Sequence, residues 1–405
     1  NMASNRRDFM KKTLIGISGA LMVSNRAHGE NIYFGSKDLQ SDLPSRILGK
    51  TGIRIPLISL GTSGITNSNF IRTAYNAGIR VFFSATYYGE GNNEILVGQG
   101  LRNFPRDSYV VATAAPAEGL DMRTGALTQE FNADVYLKKA EDSLKRFGLD
   151  YIDIFVFPGA GKRETLLNRN LLDALTKLKN QGKVKFLGIA SHANTEEAID
   201  AALEAGIFDV AMISYNFKVP KRESLDAVID RAAKAGMGIV AMKTTAGAFR
   251  EKGGFPLNTN AALKWVLQNE NISCIVSGMR TIEELEKNLK MIQDLKMTDQ
   301  EINDLQASLI SSETGLYCLQ CQKCLEQCQQ DIDIPTIMRS YMYAYGYKDP
   351  ELALYTLESA KLHKVPCMEC DTCSVTCSAG FNIKEKVLDI IRLQKVPREF
   401  IVNRI

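Results

Sequence analysis

The sequence predicts an α/β chain, a (β/α)8 barrel followed by a small α-rich domain. Short apolar runs alternate with amphipathic helical patterns from Arg46 onward, and the first run has no glycine-rich nucleotide fingerprint behind it. Eight of the nine cysteines fall in the last ninety residues, so they form a local device and not a whole-chain scaffold. At 405 residues there is room for one large domain and one small one. We divide the chain into a signal segment at 1–29, a linker at 30–45, the barrel at 46–310 and the cysteine-bearing domain at 311–405.

In chain order, a hairpin comes first, 46–48 against 53–55 around Gly49 and Gly52. Candidate strands follow at 57–60, 81–83, 109–112, 152–157, 186–189, 210–213, 238–242 and 274–276. Between them lie amphipathic segments such as 134–147, where Val135, Leu137, Leu144 and Phe147 mark one face. Segments 171–178 and 224–235 have the same pattern. Eight strand–helix units over roughly 240 residues fit a TIM barrel, whose chemistry sits at the C-terminal ends of its strands. Those ends carry Ser63 and Gly64, Ser84 to Gly89, Thr113 and Ala114, Pro158 and Gly159, His192, Ser214 to Asn216, Lys243, and Gly278 to Arg280. His192 is the only histidine in the barrel, so a histidine acid/base there is this one. Cys274 stands alone in an apolar strand and is expected to be a small core residue.

The cysteines form two runs of one spacing, C-x2-C-x2-C-x3-C: Cys318, Cys321, Cys324, Cys328 and Cys367, Cys370, Cys373, Cys377. Two-residue gaps let three thiolates from one tight loop converge on a single inorganic cube, while the fourth turns to the other cube. On that pattern Cys318, Cys321, Cys324 and Cys377 hold one [4Fe-4S] cluster, and Cys367, Cys370, Cys373 and Cys328 the second. Structural zinc takes separated C-x2-C pairs, and a disulfide framework has no need of two identical registers. The segment resembles the two-cluster bacterial ferredoxin module, except that Gln329 and Ser378 replace the proline that usually follows each fourth cysteine.

The first thirty residues read as an address. Arg6 and Arg7 precede Phe9 and Lys11, and an apolar run from Leu14 to Val23 follows, broken by Gly16 and Gly19. That run falls short of the ~18 apolar residues a membrane span needs. The stretch resembles a twin-arginine export signal, which implies a periplasmic or otherwise exported protein folded before it moves. Any membrane association then comes through the signal segment or a partner. A net charge of +3, with no basic stripe interleaved with aromatics, argues against nucleic acid.

The barrel has a more specific likeness. Leu48-Gly49-Lys50-Thr51-Gly52, Leu60-Gly61-Thr62, Asn76-Ala77-Gly78-Ile79, Ser214-Tyr215-Asn216, Met242-Lys243, and Gly278-Met279-Arg280 with Asn288 resemble an aldo/keto reductase, from about Arg46 to Leu289. That family reduces carbonyls with hydride from a nicotinamide cofactor, using a tyrosine, lysine, aspartate and histidine. Here Tyr88 matches the tyrosine, but Phe83 stands at the aspartate, Ala114 at the lysine and Pro158 at the histidine. Without a neighbouring cation a phenol stays near its free pKa of ~10, too high to exchange protons usefully. Tyr88 and His192 are the candidate catalytic residues. The resemblance implies NADP(H) contacts from Ser214, Tyr215, Asn216, Lys243, Gly278, Arg280 and Asn288, with Tyr215 stacked on the nicotinamide and Arg280 on an adenosine phosphate. Together these features predict an exported iron–sulfur oxidoreductase whose clusters relay electrons between the barrel site and a redox partner protein. The alternative is a non-catalytic barrel serving as the scaffold of a larger electron-transfer complex.

Overall fold

Parallel strands β3 (Ile58–Gly61), β4 (Val81–Ala85), β5 (Val110–Ala114), β6 (Ile152–Phe157), β7 (Val184–Ser191), β8 (Val210–Ser214), β9 (Gly238–Met242) and β10 (Ile272–Ser277) close into a barrel, β10 pairing back onto β3. The computed structural model describes residues 39, 41–121, 124–246, 257–310, 316–360, 362, 366–368 and 370–401; the expected signal segment and most of the linker lie outside them. All eight expected strands are present. β7 starts earlier than expected, because exposed Lys185 separates Val184 from the apolar run that begins at Phe186. Strand β10 carries a register shift between Ile272 and Cys274. Cys274 itself is fully buried, its Sγ 3.8 Å from Ser59 Oγ.

Two layers of side chains fill the barrel. One lines the axis, with Phe83, Ala85, Ala114, Val156, Ala190 and Val240 in contact. The other joins strands to helices, for example Phe82, Phe155 and Leu187 against Ala140, Leu175 and Ile199. Alternation along each strand sends successive side chains to these two layers. The leading hairpin, β1 (Ser45–Ile47) against β2 (Arg54–Pro56), closes the N-terminal end. Gly49 there has φ +49 and passes so near Gly236 O and Gly238 N that an added Cβ would lie 2.4 Å from each; only glycine fits. Arg46 holds the hairpin to the barrel through the carbonyl oxygens of Leu267, Asn269 and Ile272.

The C-terminal segment packs three helices, Ile334–Tyr341, Pro350–Ser359 and Ile383–Ile390, around a core of its own that includes Ile337, Met338, Leu357 and Val387. Each starts at a side-chain cap: Asp333 accepts from Thr336 N, Asp349 from Leu352 N, and Asn382 from Glu385 N. The first helix runs on into a π-helical turn, Met342–Gly346, a distortion common at functional sites. This core extends to Tyr87 and Tyr88 of the barrel, and Gly35–Ile405 forms one compact unit. No described helix is long and apolar enough to cross a membrane.

Candidate functional site

The C-terminal ends of the barrel strands meet the C-terminal segment, and residues from both build the site. Tyr88 opens the turn Tyr88–Gly91 after β4, where Gly89 (φ +59) and Glu90 (φ +51) take left-handed backbone. Its ring meets Tyr87 edge-on at 5.1 Å, and Tyr87 stacks on Tyr355 at 4.6 Å. Burial, with Tyr343 adding to it, holds the Tyr88 phenol above its ordinary pKa in spite of Lys243. Phe83 and Ala114 lie beside it in the apolar axis layer, and Pro158 is buried after β6. None of the three supplies charge or a hydrogen bond to Tyr88.

His192 follows β7 and sits 3.2 Å, through Nδ1, from Ser214 Oγ. Burial first, then Arg339 and Lys243, pull its pKa well below the usual imidazole value, so it is neutral at neutral pH. His192, Ser214 and Lys243 share a cavity of about 10 Å³ with Tyr317, Cys318 and Arg339 of the C-terminal segment. That is room for about one water.

Lys243 follows β9 with φ +56, a left-handed strain that a non-glycine residue keeps only when its surroundings impose it. Its ammonium donates to Tyr343 OH at 2.7 Å and lies over the rings of Tyr343 and Tyr347, 4.4 and 5.1 Å from their centroids. Burial acts to lower its pKa, but the tyrosine hydroxyls, Tyr343 foremost, outweigh that and hold it above the ordinary lysine value.

The positions expected to contact a nucleotide divide into three groups. Asn216 donates to Tyr317 OH at 3.1 Å, and Arg280 donates to Tyr347 O at 2.6 Å and Asp349 Oδ2 at 3.2 Å; with Lys243, these are engaged by the C-terminal segment. Ser214 and Asn288 bond within the barrel, Asn288 to Ser277 Oγ, and Gly278 has open space where a Cβ would be. Tyr215 lies away from the mouth. It is one residue past the inward-facing Ser214, so its ring falls in the helix layer against Trp265 and its hydroxyl donates to Asp226.

Six residues of this site went unnoticed in the sequence: Tyr317, Arg339, Tyr343, Tyr347, Asp349 and Tyr355. A signal was present, because Tyr341, Tyr343, Tyr345 and Tyr347 alternate along one short stretch. On the π-helical turn they sort into two pairs, Tyr341 with Tyr345 and Tyr343 with Tyr347, and the second pair faces Lys243.

The cysteines are free thiols. Cys318, Cys321, Cys324 and Cys377 line one cavity of about 20 Å³, closed by Ile334, Met338 and Ile383. Cys367 has Cys328, Cys373 and Cys370 near it, together with the Lys384 ammonium. Burial, then the neighbouring sulfurs, pushes Cys318 up to about 12 and Cys324 and Cys367 up to about 11. Among the described residues no three His, Cys, Asp or Glu side chains gather tightly enough for a single metal ion. Single zinc ions draw sulfurs to ~2.3 Å, whereas a cube spreads its four thiolates over separate corners.

Residues 60–260 match the aldo/keto reductase family model, which ends before the first cysteine run. The L-galactose dehydrogenase of Arabidopsis thaliana is 26% identical over 314 residues, covering 65% of this chain and 93% of its own. The L-glyceraldehyde 3-phosphate reductase of Escherichia coli K12 is 24% identical over 345 residues, covering 71% and 98%. An aldo/keto reductase from Klebsiella pneumoniae, solved with NADP and acetate, shares the fold with a TM-score of 0.52 at 18% identity, covering 66% of this chain and 95% of its own. Over residues 60–260 the barrel of this chain is thus similar to the aldo/keto reductases, in sequence and in fold.

Proposed function

We propose that the chain is an exported iron–sulfur oxidoreductase, in which two [4Fe-4S] clusters serve the barrel mouth and exchange electrons with a redox partner protein. One observation carries this: Cys318 lines the same small cavity as His192 and Lys243, so the first cysteine set and the barrel site share a wall. The donor chemistry fits, since four free thiols gather round one apolar cavity and the other four are grouped in the same crossed pattern. Cys318, Cys321, Cys324 and Cys377 would hold one cluster and Cys367, Cys370, Cys373 and Cys328 the other. Bound there, such clusters supply one-electron transfer. The protein's own part is to exclude water with Tyr87, Tyr88, Tyr317 and Tyr343, and to present a neutral imidazole and a buried ammonium to whatever reacts there.

A nicotinamide nucleotide, as in the Klebsiella relative, does not fit this arrangement. Lys243 and Arg280 are engaged by Tyr343 and Asp349, and the cavity beside Lys243 has room for about one water. The same closure favours the second function, a barrel kept as scaffold with the clusters alone active.

Iron analysis and electron paramagnetic resonance of protein purified from its own compartment test the proposal. About eight irons per chain are expected, with Cys321→Ser disturbing mainly one of two signals. Stoichiometric zinc without iron ends it. Loaded clusters that carry no electrons from a reduced viologen to any carbonyl or quinone acceptor favour the scaffold.

A further inference from the structure

A second cavity, about 60 Å³, lies where the C-terminal segment meets the first barrel loops, walled by Ser63, Thr66, Tyr88, Asn92, Asp349 and Glu351. It has room for a few waters. Glu351 stands in the first turn of helix Pro350–Ser359, directly after the cap residue Asp349. Its Oε1 is buried and has no hydrogen-bond partner. The charges nearest to it are the carboxylates of Asp349 and Glu90. Neighbouring cations are engaged elsewhere: Arg280 with Asp349 and Tyr347 O, Arg398 with Glu358 and Glu90. On the other packed elements Arg392 pairs with Asp389, Arg339 donates to Thr336 Oγ1, and Tyr87 and Tyr88 are neutral phenols. An anionic Glu351 would therefore sit beside two carboxylates that already take up the nearby guanidinium groups, with one oxygen desolvated and unbonded, and the helix N-terminus offsets only part of that cost. A neutral carboxyl avoids it. Burial first, then Asp349 and Glu90, brings this group up to about 7, where it changes charge near neutral pH.

We propose that Glu351 is a proton-exchanging carboxyl that opens through this cavity onto the Tyr88 side of the barrel mouth. The role rests on the electron-transfer function above. Clusters deliver electrons without protons, and a water-poor interior tolerates added negative charge only if protons follow. The step is a plain proton transfer. The Glu351 O–H bond breaks, the proton passes to cavity water, and the carboxylate regains a proton from solvent; the residue ends unchanged and no electrons move. The barrel alone lacks this group, which comes from the C-terminal segment.

Infrared titration of the full-length protein from pH 5 to 9 tests the carboxyl directly. The native protein should show a carboxylic acid carbonyl band that disappears with a midpoint of about 7 and is missing in Glu351→Gln. Asp349→Asn keeps the helix cap, removes a neighbouring charge and should move that midpoint down. A missing band, a band retained in Glu351→Gln, or a midpoint in the ordinary carboxylate range overturns the inference. A second measurement follows proton uptake with an indicator dye after photoreduction of the clusters. Glu351→Gln should slow uptake about 10²-fold, and equal rates overturn the role. The infrared arm needs no iron. Iron-free protein with the titrating band defeats the electron-transfer function alone, and iron-loaded protein without the band defeats the Glu351 role alone.

Discussion

The Lys243 ammonium lies 2.7 Å from the phenol oxygen of Tyr343, so a barrel strand end and the C-terminal segment share a buried, charge-assisted hydrogen bond. Tyr343→Phe takes away the acceptor and leaves the cation desolvated. The expected loss is about 1–3 kcal/mol of unfolding free energy, read from urea denaturation. Lys243→Met removes charge and demand together and should cost less. The reverse order would mean that Tyr343 contributes packing alone.

His192 gives a pH signature. Its folded pKa is depressed, so the unfolded chain takes up a proton more readily than the native one. The contribution is full above the unfolded value of 6.5 and is lost as pH falls from there toward the folded pKa. Denaturation midpoints between pH 5 and 8 should drop toward acid, and His192→Gln should flatten that slope. An unchanged slope would place the acid sensitivity elsewhere.

Simple aldehydes with NADPH should give negligible turnover. Phe83, Ala114 and Pro158 leave Tyr88 without a direct charged partner, and general acid–base assistance is worth ~10²–10⁴ in rate. Tyr88→Phe should then behave like the native protein in an NADPH oxidation assay. Robust turnover that vanishes in Tyr88→Phe would return the chain to the carbonyl reductases.

Changing Arg6 and Arg7 together to lysine should strand folded protein in the cytoplasm, seen by fractionation. Undiminished delivery would show that the N-terminus is not a twin-arginine signal.

The barrel was legible because strands buried on both faces read as unbroken apolar runs, and glycines mark the hairpin that closes the bottom. Tyr215 was harder: the motif around it is kept, but its ring direction depends on one step of strand alternation, which short similarity does not fix. The closed mouth left only one trace in the sequence, the alternating tyrosines. Tyr341 to Tyr347 alternate like a strand, yet the chain there is the end of a helix and a π-helical turn, so the spacing by itself points to the wrong period. Asp349 and Tyr343 reach Arg280 and Lys243 across 69 and 100 residues of sequence, a separation that no local pattern encodes.

The crossed grouping of the cysteines sets a schedule for the chain's maturation. If each run closed on itself, the first set would be complete at Cys328, while much of the C-terminal segment was still to be synthesised. Crossed, the set that contains Cys328 waits for Cys373, and the set that begins at Cys318 waits for Cys377. Both are finished within four residues of each other. A ribosome that stalls or a chain cut short before that point yields a barrel with neither thiol quartet, so half-equipped molecules are not an intermediate that synthesis passes through.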